Sequence, residues 1–171
     1  ATAIRITVIR STACLALLAA VMGLVSCGGG GSGATASRVP INTGMGWSDS
    51  PFISRDGQRL YFMYSRYNFG PWILSNGAVV PVATGPDRPG LHKSSNPFGE
   101  SDIYVATKQA DGTWSEPVNL GLNGSYGDSS GMETDGGNTF IWLRGDGSHN
   151  NIVVATRNPD GSWGAVVDLG T

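Results

Sequence analysis

The stretch SDIYVATKQADGTWSEPVNLG, residues 101–121, recurs as NNIVVATRNPDGSWGAVVDLG, residues 150–170. A run dense in β-branched and aromatic residues, an Asp-Gly pair, a Trp and a second short apolar run spell strand, tight turn and returning strand. Asp111 and Asp160 stand 49 residues apart, as do Trp114 and Trp163. Upstream of each copy lies another matching pair. DSPFISRDGQRLYFM begins at Asp49 and DSSGMETDGGNTFIW begins at Asp128, which aligns the two at a spacing of 79. The mismatch between the two spacings places an insertion in the first copy, over residues 68–99.

Each unit then holds four short strands. In the first copy PFIS leads through Asp56-Gly57 to RLYFMYS, DIYVATK follows the insertion, and Asp111-Gly112 turns into a last strand through Pro117, which an edge strand tolerates. In the second copy the pieces are GMET, NTFIWLR, NIVVATR and WGAVVDL. Without the insertion the period approaches the roughly 40–50 residues of a propeller blade. The expected fold class is all-β, with β-propeller-like four-stranded antiparallel blades, about two in this chain: residues 42–122 and 123–171. Glycine at 26 of 171 residues, nine prolines and 14% charge suit such a turn-rich fold.

The block SRDGQRLYF followed by SDIYVATKQADGTWSEPVNLG resembles the WD40-like propeller repeat of the TolB type, over about residues 42–171. The second copy departs from it, with Asp135-Gly136-Gly137-Asn138 at the turn and Asn151 where Asp102 stands. Closed propellers have about four to eight blades. Two units therefore imply an incomplete ring: a fragment of a longer propeller, a small open β-assembly, or closure by several copies. The recurring Trp114 and Trp163, Tyr61 and Phe140, and Ile103 and Ile152 are expected to serve packing between sheets. Asp56, Asp111, Asp135 and Asp160 each precede Gly and read as turn residues, not as an acid/base or calcium cluster.

Residues 1–26 carry Arg5 and Arg10 ahead of the apolar run ACLALLAAVMGLVS, suited to a signal peptide and short for a membrane span. The run closes on Leu24-Val25-Ser26-Cys27, which resembles the lipobox of bacterial lipoproteins. That resemblance implies cleavage before Cys27, its acylation, and anchoring to a membrane, with Gly28 favouring the outer one. A plain signal peptide and an uncleaved anchor are the competing expectations. Residues 27–41, Gly- and Ser-rich, read as a flexible tether. Cys14 would leave with the leader, so thiol catalysis and thiolate metal sites are not expected.

Eleven basic residues scattered among 13 acidic ones form no basic stripe, which argues against nucleic acid as a partner. Long insertions in compact domains are commonly functional. The 68–99 insertion carries Trp72, Arg88, His92 and Lys93, and blade topology places it beside the second unit's 144–151 loop, with Arg144 and His149. The shared rim offers an aromatic platform, cations and imidazoles that could grip a carboxylated sugar or an acidic peptide, so a protein or glycan ligand is expected there. The plain alternative is a solvated loop. His92 and His149 lack a third zinc ligand at useful spacing, and no metal or cofactor is expected.

Catalytic signatures are sparse. Glu133-Thr134-Asp135-Gly136-Gly137-Asn138-Thr139-Phe140 resembles the Asp box of sialidases, which in that family is a structural turn. Asp49 and Asp128 are candidate paired carboxylates only by symmetry. G-x-S-x-G, H-E-x-x-H and phosphate-loop motifs do not occur. The sequence thus favours an exported, lipid-anchored binding or scaffolding module without catalytic residues. A carbohydrate-active enzyme with its site on the same rim is the alternative.

Overall fold

A computed structural model describes residues 45–145 and 148–170. The leader, Cys27 and the tether lie outside the described residues. The first unit has strands β1 (Trp47–Ile53), β2 (Arg59–Ser65), β5 (Asp102–Thr107) and β6 (Val118–Asn119). Its insertion contributes the two-stranded β3 (Tyr67–Asn68) and β4 (Val82–Ala83), the short helix α1 (Gly70–Leu74) and a 3-10 turn at Pro97–Gly99. The second unit has β7 (Gly127–Thr134), β8 (Thr139–Gly145), β9 (Asn150–Thr156) and β10 (Val167–Asp168). The fold is all-β. Two four-stranded antiparallel sheets run in the orders β1-β2-β5-β6 and β7-β8-β9-β10.

The Asp-Gly hairpins form as the residues dictate. Asp111 accepts hydrogen bonds from the backbone N and Oγ1 of Thr113, at 2.9 and 2.6 Å, and Asp160 repeats both with Ser162 at the same lengths. Gly112 and Gly161 supply the positive φ, 83° and 84°, that a side chain would strain. Lys108 pairs with Trp114, and Arg157 with Trp163, closing the two turns identically.

Strand register corrects the upstream alignment by one residue. Phe52 pairs with Tyr61, and Met132 with Ile141; Ser48 pairs with Tyr64, and Asp128 with Arg144. The equivalent positions in the first two strands are therefore 80 apart, not 79. Both first strands bulge at the same place, where Ser50 and Ser130 take positive φ of 51° and their Oγ atoms meet at 3.3 Å. Asp49 is thus equivalent to Ser129, and the symmetry between Asp49 and Asp128 disappears. Tyr61 corresponds to Ile141, and Phe140 to Leu60.

Because paired residues in neighbouring strands share a face, the correction decides how the sheets stack. One face of the first sheet holds Phe62, Tyr64 and Tyr104. The opposite face holds the row Phe52, Tyr61, Val105 and Val118, with Ile103 beside it. Tyr61 and Ile103 pack against Phe140, Trp142, Val153 and Ala155 of the second sheet, together with Leu122. Those four residues are the equivalents of Leu60, Phe62, Tyr104 and Ala106, on the other face of the first sheet. The two sheets therefore stack head to tail, the back of the first on the front of the second. A polar latch joins the same interface: Arg59 Nε and Nη2 each donate to Glu133 at 3.0 Å, and the Tyr61 hydroxyl donates to it at 2.6 Å.

The front of the first sheet is covered by the insertion. Leu91 completes a core with Phe62, Tyr64 and Tyr104. Tyr64 Oη donates to the Pro86 carbonyl at 2.7 Å and Tyr104 Oη to that of Pro89 at 3.1 Å. Arg66 and Glu100, which flank the insertion, form a two-pronged pair at 2.6 Å that closes its neck, and Glu100 is fully buried.

Candidate functional site

The insertion and the second sheet meet at a groove of about 280 Å³. Four rings form a continuous run along its wall. Trp47 opens β1, Phe69 precedes α1, Trp72 lies within α1, and Phe98 sits in the 3-10 turn that Asn96 caps by accepting from Phe98 N at 3.1 Å. Ring centroids are 6.3 Å apart from Trp47 to Phe69, 5.5 Å from Phe69 to Phe98 and 5.1 Å from Phe98 to Trp72. The last contact is edge-to-face, the favoured arrangement of aromatic quadrupoles. Across from the rings the groove is lined by Gly127, Ser129, Gly145 and Asn150. Asp49 contributes an exposed carboxylate, its Oδ2 accepting from Trp47 Nε1 at 3.3 Å.

A second depression, of about 380 Å³, shares Gly145 with the first. Arg144, His149, Tyr126, Asn151 and Asp168 line it. Arg144 is committed to the fold: Nε donates to Asp128 Oδ1 at 2.8 Å, Nη2 donates to the Leu122 carbonyl at 2.7 Å, and the guanidinium lies 5.4 Å from the Trp142 ring centroid. Asp128 is itself fully buried and also accepts from Trp142 Nε1 at 2.6 Å. Burial raises the Asp128 pKa, against the opposing pull of Arg144.

The six rim residues expected from sequence are thus dispersed. Trp72 lines the aromatic groove, and Arg144 and exposed His149 line the adjoining depression. Arg88 lies over the front face of the first sheet, 4.5 Å from the Tyr64 centroid, 5.8 Å from that of Tyr104 and 5.9 Å from that of Phe62. Lys93 pairs with Asp87, which also bonds Arg66 at 3.1 Å. His92 gives its backbone N–H to Asp102 Oδ2 at 2.7 Å. The structure adds Trp47, Asp49, Phe69 and Phe98, which sequence reasoning does not assign to the rim. The aromatic density of the insertion is the available signal for Phe69 and Phe98; nothing local marks Trp47, which reaches the groove through the position of β1.

Asp102 is the most perturbed carboxyl among the described residues. Fully buried at the start of β5, it accepts from His92 N and from Asn119 Nδ2, the latter at 3.0 Å, through Oδ2 alone. Its buried Oδ1 has no hydrogen-bond partner among the described residues. Burial pushes its pKa up to about 6, with a smaller contribution from the charge of Asp128 in the same direction. Among the described residues no group of three or more His, Cys, Asp or Glu could hold a metal ion.

Compared with protein-family models, with curated proteins and with solved structures, the chain finds no match.

Proposed function

We propose that the protein is an exported module anchored to the bacterial outer membrane through acylated Cys27, and that it binds a ligand, without catalysis, where the 68–99 insertion meets the 144–151 loop. Support for export and anchoring comes from the sequence Leu24-Val25-Ser26-Cys27 after an apolar run, followed by a Gly-rich tether. The same proposal takes the sheets as blades of the TolB-type WD40-like repeat. Meander order, Asp-Gly hairpins and head-to-tail packing support it.

The observation that carries the binding proposal is the four-ring wall facing a polar strip from the second sheet. Its chemistry favours an uncharged glycan over the carboxylated ligand expected from sequence. Arg144, Arg88 and Lys93 are drawn into contacts within the protein, and the carboxylate of Asp49 repels an anion. Flat C–H faces of sugar rings stack on Trp72 and Trp47, while Asp49, Ser129 and Asn150 offer partners for hydroxyls.

Titration of tryptophan emission with neutral and with uronate-containing oligosaccharides tests this. Saturable binding of the neutral set, lost in Trp72→Ala and little changed by salt, supports the proposal. Binding of the acidic set alone would overturn the ligand class, and hydrolysis of either set would overturn the non-catalytic reading in favour of a carbohydrate-active enzyme. Palmitate labelling of the expressed full chain, abolished in Cys27→Ser, tests the anchor.

A further inference from the structure

The back of the second sheet repeats, position for position, the face by which the first sheet makes its interface. The row Phe52, Tyr61, Val105 and Val118 becomes Met132, Ile141, Val154 and Val167, joined by the same strand pairings. Ile103 becomes Ile152. Covering differs along the inner strands: Ile103 is 2% exposed and Ile152 45%, Tyr61 is buried and Ile141 half-buried, and Phe52 is half-buried where Met132 is 49% exposed, while Val118 and Val167 on the outer strands are exposed alike. Surface-exposed contiguous apolar faces of this kind mark contact sites.

The opposite end of the stack is closed. A sheet arriving at the front of the first sheet would meet Leu91 and the Arg88 guanidinium, held there by the Tyr64 and Tyr104 hydroxyls on the carbonyls of Pro86 and Pro89. A closed ring needs that front face, since every interface pairs one back with one front. The insertion thus acts as a terminal cap of the kind that limits repeat arrays.

We infer that the stack grows in one direction only: the back of the second sheet receives one further four-stranded sheet of the same repeat, and the insertion prevents ring closure at the other end. The chemistry of that partner sheet follows from the interface already present. Its front carries aromatic and small residues, as Phe140, Trp142, Val153 and Ala155 do. One position must change. Glu133 is held at the existing interface by Arg59 and Tyr61, whose equivalents in the second sheet are Thr139 and Ile141. A carboxylate there would be buried without a partner, so the incoming sheet is uncharged at that point. A second copy of this chain does not fit head to tail, because its first sheet is capped and the front of its second sheet is occupied.

The test is thiol accessibility at the exposed face. Ile152→Cys is introduced into the full chain with Cys14 and Cys27 changed to Ser, and maleimide labelling is followed with and without an appended copy of residues 121–170 that carries Glu133→Val. Expected are ready labelling of the Ile152→Cys chain of natural length at every protein concentration, loss of labelling when the sheet is appended, and its return when Val154→Asp is added to the receiving face. Protection of the natural chain at low concentration would mean that a segment of the chain itself covers the face. Protection only at high concentration would mean self-association. Either result, or undiminished labelling of the extended chain with its appended sheet shown folded by added β-sheet circular dichroism, overturns the inference; an appended sheet that fails to gain that signal on this face overturns it equally.

Discussion

Replacing Asp102 by Asn tests whether burial governs the start of β5. In the folded chain burial raises the carboxyl from 3.8 to about 6; Oδ2 is bonded, and Oδ1 has no partner among the described residues. As pH rises past the ordinary aspartate value the unfolded chain releases its proton and the native chain retains it. Stability contributed by the neutral form is therefore complete below about pH 4 and is lost as pH climbs through about 6. That gap is worth on the order of 3 kcal/mol at neutral pH. The substituted amide cannot ionise, and it retains an oxygen for His92 N and Asn119 Nδ2. Urea unfolding of both proteins across this range should give a stability difference that moves in favour of Asp102→Asn by about 2–3 kcal/mol between pH ~4 and pH ~7. A difference that stays level with pH would refute the argument, since loss of a hydrogen bond or a packing defect has no reason to titrate.

Other substitutions separate packing from charge. A Cβ on Gly131 would lie 2.6 Å from Phe140 Cζ and 2.8 Å from Ile103 Cδ1, so Gly131→Ala should cost about 1–3 kcal/mol by calorimetry through overpacking of the sheet interface. Arg66→Ala leaves the buried Glu100 without its two-pronged partner and should cost about 3 kcal/mol, with faster proteolysis of the 68–99 insertion. Lys93→Ala, which breaks an exposed pair with Asp87, should change stability by less than about 0.5 kcal/mol.

How much of this was legible depended on where the sequence repeats without interruption. The 101–121 and 150–170 copies have no insertion between their strands, and their turns, closing pairs and final strands coincide at a spacing of 49. The upstream pair aligns one residue out of register because both segments contain Asp-Gly. In the second copy Asp135, Gly136 and Gly137 all take positive φ, and the turn places Gly137 where the first copy has Gly57. A slip of one residue moves every side chain to the other face of a sheet. Tyr61 and Phe140 therefore look like copies of one residue in sequence, yet they stand on opposite faces of their own sheets and meet across the interface with centroids 4.9 Å apart. That opposition of faces is what sets the head-to-tail order of the sheets and leaves the front of the first sheet to the insertion.

The exchange at Asp102 was equally hidden, though its residues are plain in the sequence. In the first unit Asp102 on the third strand accepts from Asn119 on the fourth; in the second, Asn151 on the third donates to Asp168 on the fourth at 2.7 Å. Acid and amide have traded strands while the hydrogen bond persists. The two acids answer differently to their surroundings. Asp102 is sealed beneath the insertion, on the front face of its sheet, and is raised, whereas Asp168 is exposed and is lowered by its bond to Asn151. A repeat alignment registers only that Asn151 stands where Asp102 was expected. What makes the exchange consequential is the insertion over one unit and not the other, a difference in covering that depends on contacts between segments distant in the chain.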